Sequence, residues 1–262
     1  MLLYLAGTES RPYVFEPMHL YLAGEHDVKN GKNALSAGVM ILESYFYAVQ
    51  NRHVEGLIPQ FRSLLLDSGA FTFMQNKKIK PDWDEYIQRY AEFIVKNDIK
   101  LFFELDIDSV VGLKEVERLR DKLETLTNRR CIPVWHKSRG KEYWLKMATD
   151  YDYIAIGGIV SGEITKDEYK YFPALIQLAK ERGARVHGLG FTNLTGLTRY
   201  KFYSVDSTAW IYGNRSGFLQ WFNGKTLEKI KAPAGMKMKS RETAIHNFNE
   251  WVKFQRYAEH NL

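Results

Sequence analysis

Leu64-Leu65-Leu66-Asp67-Ser68-Gly69-Ala70-Phe71 is an apolar run of strand length that stops at an aspartate followed by a serine. The same outline returns at Phe202-Tyr203-Ser204-Val205-Asp206-Ser207, and a third example, Leu101-Phe102-Phe103-Glu104-Leu105-Asp106, lies between them. A parallel strand buried on both faces reads as a continuous apolar run. In a barrel of such strands the C-terminal ends share one mouth, where the polar residues gather. Three strand-terminal carboxylates converging on one pocket suit covalent or acid/base chemistry at an electrophilic carbon.

Working outward, eight strand-like runs alternate with helical patterns: Leu2 to Leu5, Gly38 to Leu42, Leu64 to Leu66, Leu101 to Leu105, Ile132 to Trp135, Tyr153 to Ile156, Arg185 to His187 and Phe202 to Val205. Between them, Asp82 to Lys96 places Trp83, Tyr86, Ile87, Tyr90, Phe93 and Ile94 on one helical face. Leu113 to Leu126 reads the same way, and Lys166 to Arg182 ends at Gly183 as helices often do. The pattern predicts an α/β fold, a single (β/α)8 TIM barrel over residues 1–230. A basic C-terminal helical segment over residues 231–262 is expected to pack on it, after a loop from Lys231 to Met236.

The chain has 262 residues, 45% hydrophobic and 14% aromatic, enough for one large core. Its lone Cys131 excludes an internal disulfide and a thiolate-rich zinc cluster, and the histidines lack ligand spacing, so no metal and no cofactor are expected. There is no apolar run of membrane-spanning length and no leader pattern at the N-terminus, which predicts a soluble cytoplasmic protein with no membrane partner. The net charge of +6 permits a polyanionic partner without demanding one. Basic residues between Lys225 and Arg256, among them Lys237, Lys239 and Arg241, alternate with aromatics. They read either as a solvated helix face or as a phosphate-binding surface.

The strand ends present Asp67, Asp106, His136, Gly157-Gly158, His187-Gly188 and Asp206, with Phe71 as a ring for stacking. Such a mouth suits a flat heterocycle with several donors and acceptors, and a purine fits. Asp108 lies two residues past Asp106 on the same face of an extended strand and is the alternative to it.

Asp67-Ser68-Gly69-Ala70-Phe71 resembles the Asp-Ser-Gly-Gly-Tyr motif of the queuine and archaeosine tRNA-guanine transglycosylases. Ile156-Gly157-Gly158-Ile159-Val160-Ser161-Gly162-Glu163 is similar to their Gly-Gly-Leu-Ala-x-Gly-Glu loop. Leu105-Asp106-Ile107, His187-Gly188-Leu189-Gly190 and Val205-Asp206-Ser207 follow in the family's order over residues 64 to 215. The resemblance implies a glycosyltransferase of the pentosyl class. Asp206 would be the nucleophile forming a glycosyl ester, and Asp67 the second carboxylate that moves protons. Asp106 would receive the guanine N1 and amino protons, Phe71 would stack, and Gly157, Gly158, Ile159, His187 and Gly188 would line the base pocket.

Two departures shape the expectation. His136, in Pro133-Val134-Trp135-His136, stands where the family carries a glutamine, and the family's Cys-x-Cys-x-x-Cys…His zinc site is missing. The chain thus most resembles the short zinc-free phage and bacterial branch that exchanges guanine in DNA for a 7-deazaguanine such as 7-cyano-7-deazaguanine. That branch implies DNA and the free 7-deazaguanine base as partners, with tRNA or other RNA as the alternative polymer, and a bacterial host cytoplasm if the gene is a phage's. Reaching the sugar of a paired base requires extrusion, for which Trp210, Tyr212 and Trp135 are candidate wedges and Arg215 a phosphate contact. A competing reading is a barrel that binds nucleobases or nucleic acid without catalysis. Two carboxylates besides Asp106 favour the enzyme, because recognising guanine needs one acceptor.

Overall fold

The computed structural model describes residues 1–15, 38–75, 81–231 and 239–262. Eight strands, β1 (Leu2–Ala6), β2 (Met40–Ser44), β3 (Ser63–Asp67), β4 (Leu101–Phe102), β5 (Val134–Trp135), β6 (Tyr153–Ile156), β7 (Arg185–Gly188) and β8 (Ser204–Ser207), form one parallel sheet in the order β4-β3-β2-β1-β8-β7-β6-β5. The two ends of that order meet. Phe103 bridges Ile132 in parallel, with the Ile132 N–H donating to the Phe102 carbonyl at 2.8 Å and the Glu104 N–H to the Ile132 carbonyl at 3.1 Å. The sheet therefore closes into the expected (β/α)8 barrel.

Alternation along the strands separates two apolar layers. Tyr4, Ala6, Met40, Leu42, Leu65, Phe103, Ile132, Val134, Tyr153 and Ala155 fill the interior, while Leu3, Leu5, Ile41, Leu66, Phe102, Ile154, Ile156 and Val205 meet the surrounding helices. The parity continues past the apolar residues. It turns Asp67, His136, Gly157, His187 and Asp206 inward at the C-terminal ends of their strands, and Glu43 and Glu104 outward.

The helices are α1 (Tyr45–Ala48), α2 (Arg52–Leu57), α3 (Ala70–Gln75), α4 (Trp83–Lys96), α5 (Asp108–Val111), α6 (Leu113–Thr127), α7 (Gly140–Asp150), α8 (Phe172–Lys180), α9 (Leu194–Tyr200), α10 (Tyr212–Ser216) and α11 (Ser240–Asn261). Asp82 caps α4 by accepting from the Asp84 and Glu85 N–H groups, and Ile87, Tyr90, Ala91, Phe93 and Ile94 form its buried stripe. The expected helix over Lys166 to Arg182 splits into a 3-10 turn, Lys166–Tyr171, and α8, which has Pro173 in its first turn.

An antiparallel hairpin, β9 (Phe218–Phe222) and β10 (Leu227–Lys231), follows β8 and was not read from the sequence. Its Asn223-Gly224 turn was the available signal. α11 packs on β1 and on this hairpin, and its Phe248, Trp251 and Phe254 belong to the same core cluster as the barrel helices. Gln255 of α11 donates to the carbonyls of Leu3 at 2.7 Å and Met40 at 2.8 Å and accepts from the Met40 N–H at 3.0 Å. The C-terminal helix is thus built into the barrel wall, and α11 itself balances Arg241, Lys253 and Arg256 with Glu242, Glu250 and Glu259 rather than being basic. Most of the loop expected from Lys231 to Met236 lies outside the described residues.

Candidate active site at the barrel mouth

Asp206 is 7% exposed at the end of β8. Its Oδ1 accepts from the Gly190 N–H at 2.5 Å and faces His187 Nε2 at 3.2 Å; among the described residues no hydrogen bond reaches Oδ2. Gly190 has φ +70, and a Cβ there would lie 2.2 Å from Val160 Cγ2, so the close approach of this backbone donor needs glycine. His187 is fully buried, its Nδ1 lies 2.7 Å from Ser204 Oγ, and that hydroxyl is 2.5 Å from the Tyr153 hydroxyl. Burial raises the Tyr153 pKa, so the phenol keeps its proton. Donation from Tyr153 to Ser204, from Ser204 to His187 Nδ1 and from His187 Nε2 to Asp206 satisfies every group in the chain. In that arrangement the buried ring, fixed by Ser204 on one nitrogen, orients Asp206 with the other.

Asp67 ends β3 with partial exposure, and its Oδ2 accepts from the Gly69 N–H at 3.0 Å. Burial raises its pKa to about 7; the Gly69 hydrogen bond opposes the rise, and the negative charges of Asp106, Asp206 and Glu9 add to it. Asp67 therefore senses the charges of both other aspartates across the mouth. Tyr86 donates to the Ser68 carbonyl at 2.6 Å, and Tyr90 sits within reach of the carbonyls of Leu66 (3.2 Å) and Phe103 (3.1 Å), which fixes the backbone that carries Asp67.

Asp106 is 9% exposed, and its Oδ1 is hydrogen-bonded to His136 Nε2, whose other nitrogen lies 2.8 Å from Glu163 Oε2. Asp108 does not share the face of Asp106. The strand has already ended, and Asp108 opens α5, where Arg139 grips both its oxygens at 2.5 Å. Arg139 also donates to Glu104 at 3.0 Å, and Arg120 reaches the same fully buried Glu104 at 3.1 Å. This ion cluster lies in the layer outside the barrel and holds the β4 loop from behind.

The remaining expected residues divide. Gly157 is buried and Gly158 and Ile159 are half-buried beside His136 and Glu163. Gly188 is buried against Phe191 and Phe202. Phe71 lies in the first turn of α3 and Arg215 in α10, but their side chains, and the whole of Lys237, lie outside the described residues. Lys239 is exposed and pairs with Glu242 at 3.1 Å, and Arg241 is exposed with its guanidinium 5.0 Å from the Tyr13 ring.

Trp210 corrects its expected nucleic-acid role. It is fully buried, donates to the Ala6 carbonyl at 2.9 Å and packs edge-on to Phe248, so it is core. Trp135 is core likewise, donating to the Gly140 carbonyl at 2.8 Å. Tyr212 is exposed. It lines a cleft of about 390 Å³ at the ends of β1 and β8 with Gly7, Glu9, Arg11, Tyr47 and Thr208. Glu163, Ser204 and Tyr153 were given no role from sequence, because each acts through a partner that only the closed barrel supplies.

No family model matches the chain, and no curated protein does. Among solved structures it is similar to the carboxyl transferase domain of Rhizobium etli pyruvate carboxylase. With 3-bromopyruvate bound there, identity is 13% and TM-score 0.43, over 84% of this chain and 42% of that one. With pyruvate and biocytin the identity and TM-score are again 13% and 0.43, over 98% of this chain and 48% of that one. The chain spans less than half the length of each. No helix among the described residues is long and apolar enough to cross a membrane.

Proposed function

We propose that the chain is a base-exchange transglycosylase that replaces guanine in DNA with a 7-deazaguanine through a glycosyl-aspartate ester. The observation that carries the reading is the pairing of two inward carboxylates with different environments. Asp206 is fixed through one oxygen by a backbone N–H and a buried histidine, and Asp67 is poised to gain or lose a proton near neutrality. Separated environments of this kind assign nucleophile and acid/base to a carboxylate pair.

In the forward half, Asp206 Oδ2 bonds to C1′ of the nucleotide as the C1′–N9 bond breaks. The electron pair leaves with guanine, and protonated Asp67 supplies the proton. In the second half, Asp67, now a carboxylate, takes the N9 proton of the incoming 7-deazaguanine. That nitrogen bonds to C1′, and the ester C–O bond breaks to restore Asp206. Atoms and charge balance without a redox partner. A pKa of about 7 leaves both forms of Asp67 populated at neutral pH, the condition under which a proton shuttle contributes on the order of 10² to 10⁴ in rate.

The choice of DNA follows the branch resemblance. The exposed Lys239 and Arg241, and the cleft with Arg11, Tyr47 and Tyr212 beside β8, offer charge and rings for the flanking strand. The test is incorporation of labelled guanine, run side by side on single-stranded DNA, duplex DNA and tRNA. Label entering DNA in an Asp206-dependent way supports the reading. Label entering tRNA alone replaces the polymer, and binding of guanine with no exchange into any polymer favours a non-catalytic barrel.

A further inference from the structure

His136 is held by a carboxylate on each ring nitrogen, Asp106 at Nε2 and Glu163 at Nδ1. Glu163 is itself anchored, its Oε1 accepting from the Ser138 N–H at 2.9 Å. The Gly157-Gly158 pair makes the room. A Cβ on Gly157 would stand 3.0 Å from His136 Cε1 and 2.7 Å from Val134 Cγ1; on Gly158, at φ +77, it would stand 2.8 Å from Glu163 Oε2. The two glycines thus admit an imidazole and a carboxylate that any larger pair would displace.

We propose that Glu163 is a positioning residue for base recognition. It holds His136 as an imidazolium that donates to Asp106 Oδ1, fixing that carboxylate so that its other oxygen meets the N1–H and amino edge of a guanine-type base. The proposal rests on the transglycosylase reading and adds the group that sets base choice. An imidazolium has two donors and no acceptor, and both donors are taken by carboxylates. His136 therefore offers the base no free donor.

Other charges face this set. Arg139, which also feels Asp106, is held by Glu104 and Asp108; Lys137 pairs with Glu168 at 2.5 Å; Asp67 stands beyond Asp106. Burial disfavours the charged ring, but the hydrogen bonds and charges of Asp106 and Glu163 outweigh it and bring the His136 pKa to about 9. Above that value a ring nitrogen would turn a lone pair toward a carboxylate, and Asp106 would lose its anchor.

The experiment measures binding of free guanine and of hypoxanthine, which lacks the amino group, to the full chain by calorimetry from pH 6 to 8, where both bases keep their N1 proton. The His136 ring is titrated by NMR in parallel, and labelled-guanine exchange is run on wild type. Wild type is expected to keep its guanine preference across that range, which lies below the His136 pKa of about 9. In Glu163→Gln the ring titration and the alkaline limit of that preference should move together toward the ordinary histidine value of about 6.5, so that the preference is about tenfold weaker at pH 8 and wild-type at pH 6. His136→Gln, which donates without titrating, should make the preference flat over the same range. A Glu163→Gln preference at pH 8 unchanged from wild type, or a His136→Gln preference that falls between pH 6 and 8, overturns the proposal. Wild-type exchange with an unmoved limit overturns only the role of Glu163, whereas wild type that binds no base overturns the transglycosylase reading and this proposal with it.

Discussion

His187 Nε2 lies 3.2 Å from Asp206 Oδ1, and the ring sits behind the carboxylate with no exposure of its own. The imidazole is walled by Tyr4 and Phe103, and its other nitrogen belongs to Ser204. It bears on Oδ1, the oxygen that the proposed reaction leaves unbonded to the sugar. In His187→Asn, exchange should slow by about 10- to 100-fold, the scale of a misplaced reacting atom, with the guanine preference kept. Steady-state kinetics with guanine and hypoxanthine measure both. Loss of preference with rate intact would move His187 into the base pocket.

Asp67→Asn should abolish exchange and stabilise the protein. A carboxyl whose pKa rises from 3.8 to about 7 on folding contributes stability that is complete below 3.8 and lost as pH rises through 7. At pH 8 the wild type carries the cost of an ionised Asp67, and the amide does not. With partial exposure discounted, the gain should be about 1 to 2 kcal/mol. Thermal melts should show the variant above wild type at pH 8 and the difference shrinking toward pH 4. Equal melting at every pH would mean that Asp67 is not perturbed.

Asp108→Ala separates the two aspartates of the β4 loop. Arg139, whose side chain is 1% exposed, loses its bidentate partner but keeps Glu104, so stability should fall by about 1 to 3 kcal/mol. Guanine over hypoxanthine preference should persist at a temperature where the variant is folded. Asp106→Ala should do the reverse, leaving the melting temperature nearer wild type and removing the preference. The opposite pattern would make Asp108 the base-reading residue.

Charge reversal at Lys239 and Arg241 should weaken DNA binding and flatten its salt dependence, because phosphate contacts act through released counterions. The Lys239–Glu242 pair is exposed, so the fold should tolerate its loss. Guanine preference should survive, since phosphate contacts position the strand without reading the base. Trp210→Ala serves as the contrast: it should cost about 3 to 5 kcal/mol of stability and report on folding rather than binding. Titrations of a DNA oligonucleotide at several salt concentrations, with melts of each variant, decide this.

The barrel was legible because buried parallel strands announce themselves as short apolar runs. All eight strands form where those runs fall. Alternation then made the inward set legible too, since Asp67, His136, Gly157 and Asp206 keep the parity of Leu65, Val134, Ala155 and Ser204 on their own strands, and His187 pairs with Ala155. What alternation cannot convey is side-chain reach. Glu163 lies in a loop and meets His136 across 27 positions of sequence, and Asp108 looked equivalent to Asp106 only as long as the strand was taken to continue. Trp210 was misread because an aromatic near a strand end can turn either way. The carbonyl of Ala6, from the opposite end of the chain, decides it.

The central claim is the covalent step at Asp206. Wild-type protein mixed with a guanine-containing DNA oligonucleotide and no incoming base should give a complex that survives denaturation, with the mass of the chain plus an oligonucleotide lacking one guanine. Peptide mapping should place the link on Asp206, and added guanine or 7-deazaguanine should discharge it. Asp206→Asn should form none. Base exchange that continues in Asp206→Asn, or an adduct mapped to a different residue, would contradict the account.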